Sequence, residues 1–539
     1  MKLSRRSFIK YSVAGIALAK LIPLSHLFAA VKQVRPDKKI FVPGLAKASE
    51  FINQKNGKTF IAGYPVQWWI DKYGLPLTIN YAPDIRKNIR GFKNVFTKYY
   101  PKGDIRYAVK ANAHPTILSL VNEEGAGADV ASENEAKCAL QGNIDPEHID
   151  VNGNSKSEAL IEMALKKNMH IVADNIEEFL VISALAKKHM SKPKVVLRLA
   201  GYDLKNVTDE GVFTAGKWCK FGASIKDLPR FYSLLPKHPH IDFLGFHTHI
   251  GSQITAIQPY SKVLGKLIEF SKALNEKGGK CRLINIGGGF PVSYFKTRKE
   301  WDEILELIRN GYIALQKGDD SKVWIWGGEP AMFMDQTTGK IDLKNWIGEE
   351  SYSEFPQHLM LEAIFKNNVT INGQTMNAVK ALKSIGEPTI VVEPGRAIAE
   401  TSGVSLMKVT AIRKIPSGHN MIAVDAGSVN YADSIARDYL MRRWTLAENN
   451  KETDKEPFDA FVAGRLCFNA DIICRIKKRF PRKPKENEAV LIHNAGAYCS
   501  QFFAANTNSF ARPARVICYE DGSVAYIRKK DTYDEIFSQ

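Results

Sequence analysis

From about residue 103 onward, short apolar runs rich in β-branched residues alternate with amphipathic stretches of helical period. The runs lie at 105–109, 128–131, 149–151, 170–173, 195–199, 243–249, 283–286 and 389–392. Between most of them lie helical patterns such as 155–167 and 176–188. Strands that alternate with helices form parallel sheets, and eight such units close into a (β/α)8 barrel. Ahead of them, 76–81 reads as another strand and 84–96 as a helix. Beyond about residue 400 the pattern changes to strand-like runs separated by turn residues, at 404–412, 421–426, 489–493 and 514–518. The expected fold class is therefore α/β: a (β/α)8 barrel over 86–395 and a C-terminal all-β domain over 396–539, which residues 31–85 join in part. Strands seven and eight stand about a hundred residues apart, and a connection of that length is usually functional or a small subdomain. It is treated as an insertion over about 295–385.

The first thirty residues follow a different pattern. A basic start precedes a moderately apolar run at 11–24 and then Phe28-Ala29-Ala30, the layout of a signal peptide. Ser4-Arg5-Arg6-Ser7-Phe8-Ile9-Lys10 resembles the bacterial twin-arginine motif, which a receptor reads. The expectation is export of a folded protein by the twin-arginine (Tat) machinery to the periplasm.

Composition narrows the class. With 45% hydrophobic and 24% charged residues, the chain is an ordinary globular protein. The net charge is +18, and Lys2, Arg5, Arg6, Lys10 and Lys20 carry 5 of it, leaving 18 − 5 = +13. That excess reads either as attraction to anionic surfaces or acidic substrates, or as a generally basic solvated surface. Lys and Arg are scattered without interleaved aromatics, which argues against nucleic acid. No internal apolar run approaches the roughly 18 residues of a membrane span. Seven cysteines form no CxxC pair and no zinc-spaced cluster.

The chemistry-bearing residues fall at the C-terminal ends of barrel strands, where barrel sites are built. Gly287-Gly288-Gly289 follows strand seven, and three glycines let a backbone approach an anion and offer it N–H groups. Glu393-Pro394-Gly395-Arg396 follows strand eight, and Arg396 is suited to grip a phosphate. Alone, each reads first as a turn or a surface arginine; their joint placement points to a phosphate site. Lys110 ends strand one after apolar residues. It reads as a lysine snorkelling to solvent, or as one partly desolvated, neutral and nucleophilic. His247 and His249, two apart at the end of strand six, could bind metal, although no further ligand set is apparent; packing on a cofactor ring is the better reading.

Six motifs then occur in the order seen in diaminopimelate decarboxylases. They are YAVKAN around Lys110, HIGSQ from His249, GGGFP from Gly287, EPGR from Glu393, Gly464-x-x-Cys467-x-x-x-Asp471, and NAGAY ending at Tyr498. With weaker similarity from about Tyr73 to Pro513, the chain resembles the pyridoxal-phosphate (PLP) decarboxylases of the ornithine/diaminopimelate type, which use an alanine-racemase-like barrel. The resemblance implies that Lys110 holds PLP as an internal aldimine. Glu393 pairs with the pyridine nitrogen and His249 stacks on the ring. Ser252, Gly288, Gly289, Arg396 and Tyr498 hold the phosphate, Arg198 lies near the cofactor and Asp129 near Lys110. Cys467 crosses a homodimer interface to protonate the carbon that loses CO2, and Asp471 shapes that pocket. From its residue type alone, Cys467 would read as a buried structural cysteine.

Three features depart from the family pattern. Phe468 stands where a diaminopimelate decarboxylase usually has the acid that reads the substrate's distal amine. Asp425-Ala426-Gly427 is followed by Ser428-Val429-Asn430-Tyr431 and later Arg437, in place of an Arg-Pro-x-x-Tyr segment. The insertion after GGGFP is the third. They touch the substrate contacts, where specificity resides, more than the cofactor. The first expectation is decarboxylation of a diamino or basic amino acid such as diaminopimelate, ornithine or lysine. An amino-acid racemase on the same barrel is second, and a binding protein that has lost catalysis is third.

Overall fold

The computed structural model describes residues 48–204, 214–327, 351–428, 442–447, 456–499 and 511–537. The signal-like segment, Tyr431 and Arg437 lie outside them. Eight parallel strands close a barrel: β1 (Gly103–Ala108), β2 (Gly127–Val130), β3 (Ile149–Val151), β4 (His170–Ala173), β5 (Lys194–Ala200), β6 (Asp242–His247), β7 (Leu283–Asn285) and β8 (Thr389–Val392). Closure is made by β8 on β1, with Val392 opposite Ile105, and by β4 on β5, with Ile171 opposite Val195. These strands read as unbroken apolar runs because helices cover their outer faces and side chains fill the interior. All residues of β2, β3 and β4 are buried.

The helices between them start where side chains cap their first turns. Ser157 accepts from the Leu160 N–H at 3.1 Å, so the helix expected from 155 runs Glu158–Lys167. Asn175 does the same for Ile176–Lys188, with Glu178 N at 2.8 Å. In the insertion, Thr297 and Glu300 form a reciprocal capping box that starts Arg298–Gln316. That helix buries Trp301, Ile304 and Ile308 with Tyr294, Phe295 and Ile325 against Cys474 and Ile476 of the β domain. A bridge from Ile325 to Ile476 adds the insertion to the edge of that sheet. Later in the insertion, His358–Lys366 packs on the helix Ala82–Tyr99 beside the barrel.

The β domain is a separate sheet of nine strands. Leu77–Tyr81, from before the barrel, lies in its middle, antiparallel to Gly403–Lys414 and parallel to Ala514–Cys518. Residues 52–73 add a three-stranded meander and the helix Val66–Tyr73, absent from the pattern-based expectation. Trp69 of that helix is fully buried and donates to the Ile61 carbonyl at 3.2 Å. Among the described residues, no helix is long and apolar enough to cross a membrane.

Candidate active site

Lys110 is placed by the end of β1. Val109–Ala111 turns as 3-10 helix with Val109 and Ala111 buried, leaving Lys110 exposed to the barrel mouth. The Ala108 N–H donates to the Pro394 carbonyl (3.3 Å) and the Tyr498 N–H to the Ala111 carbonyl (2.9 Å). The loop after β8 and the β domain are thereby tied to the lysine's base. Although exposed by area, the ammonium is walled in by protein. Burial pulls its pKa down, but Tyr498, Asp129 and Glu393 outweigh it and hold the pKa above the ordinary value. The expectation of a lysine made neutral by desolvation is thus corrected: Tyr498 and the two neighbouring carboxylates keep the charge.

Glu393, at the end of β8, is 3% exposed. Asn285 of β7 donates to Oε1 at 2.7 Å, and His247 Nε2 of β6 lies 3.1 Å from Oε1 and 3.3 Å from Oε2. Burial alone would raise its pKa, but His247 and then Arg198 bring it below the usual carboxylate range. Asp129 of β2 goes the other way. Burial first, then the Glu393 charge, push its pKa well up against the pull of Lys110. Its Oδ1 is buried without a hydrogen-bond partner among the described residues. Two carboxylates in one mouth are driven apart by their environments: the pKa of Glu393 goes down and that of Asp129 goes up.

His247 and His249 serve different neighbours. His249 Nδ1 accepts from the Gly288 N–H at 2.9 Å, which places its own proton on Nε2. Burial, followed by the charges of Lys110 and Arg198, drives its pKa well below the ordinary value, so the ring is neutral. The glycine triad is needed for packing more than for free donors. Gly287 donates to Asn285 Oδ1 (2.8 Å) and Gly288 to His249, so two of the three N–H groups expected for an anion are engaged within the protein. A Cβ on Gly288 would lie 2.3 Å from the Glu393 carbonyl oxygen, and one on Gly289 (φ +88°) 2.7 Å from that of Gly251.

Arg396 opens the short helix Arg396–Ala399 and is buried. Its guanidinium stands 5.1 Å from the Tyr498 ring centre and 3.5 Å from both Ser252 Oγ and Tyr294 Oη. Arg198 of β5 is also buried, 4.3 Å over the Phe221 ring and 3.4 Å from Asn152 Oδ1. PLP fits this constellation. A lysine stands among carboxylates, a buried carboxylate follows the adjoining strand β8, a neutral imidazole is present, and Arg396, Ser252 and Tyr498 gather beside glycines that no side chain could replace.

Cys467 and Phe468 open onto a different space. They line a cleft of about 880 Å³ between the β domain and the insertion, with Val323, Ile325 and Trp326 on its wall. None of Lys110, His249, Glu393 and Arg396 lines it. Cys467 is exposed, contrary to a buried structural cysteine, and Phe468 is 63% exposed. Asp471 is buried and shapes the loop: Oδ2 accepts from Leu466 N (2.8 Å) and Oδ1 from Ser428 N (2.6 Å). None of the seven cysteines is joined in a disulfide. Motif reading missed Asn285 and Tyr294 and did not see that His247 faces Glu393. The available signal for Asn285 was a lone amide inside the apolar run Leu283–Asn285.

Residues 83–330 match the family model for the pyridoxal binding domain of pyridoxal-dependent decarboxylases. Over 498 residues the chain is 26% identical to a diaminopimelate decarboxylase of Aquifex aeolicus, covering 91% of this chain and 98% of that relative. A diaminopimelate decarboxylase of Staphylococcus aureus is also 26% identical, over 89% of this chain and 97% of its own length. The crystal structure of the diaminopimelate decarboxylase of M. jannaschii in complex with L-lysine shares the fold, with a TM-score of 0.71 at 23% identity, over 91% of this chain and 97% of that one. An arginine decarboxylase of Paramecium bursaria Chlorella virus, bound to agmatine, has a TM-score of 0.58 at 16% identity, over 82% and 95%. The matched domain, similarity along nearly the whole chain and the mouth just described make this chain a PLP-dependent amino-acid decarboxylase resembling the diaminopimelate decarboxylases.

Proposed function

We propose that the protein removes the α-carboxylate of a diamino or basic amino acid, diaminopimelate first and lysine or ornithine next, as an exported homodimer. The observation that carries the reading is Lys110 set among Asp129 and Glu393, with Arg396 and Tyr498 gathered behind the glycine turn. PLP, when bound, supplies the sink for the electrons left as CO2 departs. Lys110 holds it, Glu393 accepts from its ring nitrogen, and the neutral His249 packs on its face. Ser252, Gly289, Arg396 and Tyr498 take the phosphate, while Gly288, whose N–H is engaged by His249, gives it room. Arg198 lies near the ring, and Asp129 faces Lys110.

Cys467 returns a proton to the substrate carbon in the partner's mouth. Its exposure, on a cleft apart from its own barrel mouth, supports a role in trans. Phe468 and Asp471 form the substrate end. Phe468 removes the usual acid, and Asp320 lies on the wall of the same cleft as a carboxylate for a distal ammonium. The substrate class rests on the names of the relatives, which are diaminopimelate decarboxylases. Periplasmic location rests on the twin-arginine-like start.

The test is CO2 release by the purified protein with PLP, from meso-diaminopimelate and both enantiomers of lysine, ornithine and arginine. Release from one substrate, abolished by Lys110→Ala, is expected. Bound PLP without release from any of them would overturn the substrate class, and α-proton exchange without release would make the protein a racemase.

A further inference from the structure

We propose that His247 and Asn285 are positioning residues that hold Glu393 ionised and oriented as the acceptor for the PLP ring nitrogen, with Asp150 anchoring the pair from the barrel interior. The proposal rests on the cofactor reading above. His247, Asn285 and Val391 are paired in register across β6, β7 and β8, so Asn285 reaches Glu393 from the adjoining strand and His247 from the strand beyond it. His247 Nε2 sits astride the carboxylate, at 3.1 Å from Oε1 and 3.3 Å from Oε2, and Asn285 takes Oε1 at 2.7 Å. Oε2 therefore keeps the larger spare capacity to accept.

Donation through Nε2 has a consequence for the other ring nitrogen. His247 Nδ1 is buried with no hydrogen-bond partner among the described residues. A buried polar atom left unpaired is unfavourable and calls for a reason; serving Glu393 is that reason. Asn285 is bound on both sides. Its Oδ1 accepts from the Gly287 N–H at 2.8 Å, and its Nδ2 also lies 3.4 Å from Asp150 Oδ2. One amide thus links the acid of β8 to the glycine turn after β7. Asp150 is itself fixed by Arg106 Nε at 3.5 Å and His170 Nδ1 at 3.4 Å. Without these donors, a carboxylate this deep, facing Asp129 and Asp150, would take up a proton and lose its capacity to accept from the ring.

The experiment uses the full chain reconstituted with PLP. His247→Leu removes the donor, and His247→Gln restores an amide donor of similar reach. We read three quantities: PLP affinity from fluorescence quenching, the visible absorption of the bound cofactor, and kcat against KM on the amino acid of the panel that releases CO2. Residues one shell out from a bound group typically change affinity or activity about 10- to 100-fold. The expected result is a kcat loss of that size for His247→Leu with KM nearly constant, an altered absorption band, and recovery of both by glutamine. Wild-type affinity, spectrum and kcat in His247→Leu would overturn the proposal. Should the leucine variant not fold, His247→Asn, polar but too short to reach Glu393, replaces it. Equal values for asparagine and glutamine would then overturn it. A wild-type chain that binds no PLP at all would sink the cofactor reading and this proposal together, whereas insensitivity of a PLP-binding chain sinks only the second.

Discussion

Gly288→Ala isolates the packing demand of the glycine turn. The φ of Gly288 is not positive, so alanine tolerates the backbone and the cost is steric. The added Cβ would stand 2.3 Å from the Glu393 carbonyl oxygen and 3.2 Å from His249 Cε1. Carbon–oxygen contacts settle at about 3.3 Å or more, so roughly 1 Å must be recovered by moving backbone. Overpacking of this kind costs about 1–3 kcal/mol. Both neighbours belong to the proposed PLP site, and about 1.4 kcal/mol lost from binding is a tenfold rise in Kd. The assays are denaturant unfolding of the apo chain and PLP titration. Gly278→Ala is the control: its φ of +83° strains alanine, but nothing lies within 4 Å of a Cβ. It is expected to lower stability and leave PLP affinity unchanged. Gly288→Ala with wild-type stability and wild-type Kd would refute the steric reasoning.

Three further outcomes are expected. Arg396→Met removes charge-assisted bonds worth about 1.5–3 kcal/mol, so PLP Kd rises roughly 10- to 150-fold in titration. Cys467→Ser leaves PLP affinity unchanged and lowers turnover by about a hundredfold or more, the range of a lost proton donor; wild-type turnover would remove Cys467 from the chemistry. Burial, and then the Arg443 charge, push His493 down to about 3, so the folded chain keeps it neutral while the unfolded chain binds a proton below about 6.5. Its contribution to stability is present above pH 6.5 and is lost as pH falls toward 3. Between pH 7 and 5 that is about 2 kcal/mol, which unfolding of His493→Gln should not show.

The barrel was legible because its strands are buried on both faces and need no partner to reveal them. The matched run at Thr389–Val392 is one case. Helix starts shifted where a capping side chain precedes the periodic pattern, as at Ser157. The strand Ile472–Phe480 was hidden because Arg475, Lys477, Lys478 and Arg479 disguise it as basic surface. Lys478 is nevertheless fully buried and donates to the Arg442 carbonyl at 3.2 Å, and Lys477 lies 3.1 Å from His419 Nδ1. In the site, residue types and strand ends located Lys110, Glu393 and Arg396. Which histidine touches which group depends on closure of the barrel, so a pair two apart in sequence could not show that His247 turns to Glu393 and His249 to Gly288. The charge state of Lys110 was equally out of reach, since the groups that decide it, Tyr498, Asp129 and Glu393, come from the β domain, β2 and the end of β8.

The strand Leu77–Tyr81 lies between one strand that begins at residue 403 and another that begins at residue 514. During synthesis the barrel sequence can emerge and close while this early strand still lacks both neighbours. Pairing across more than three hundred residues is slow and comes late. Tyr498, which reaches back to Ala111, belongs to that late-forming part. The cofactor mouth is thus finished only when the C-terminal strands are in place. A chain cut short of its last strands would therefore have the barrel sequence but an unfinished cofactor mouth.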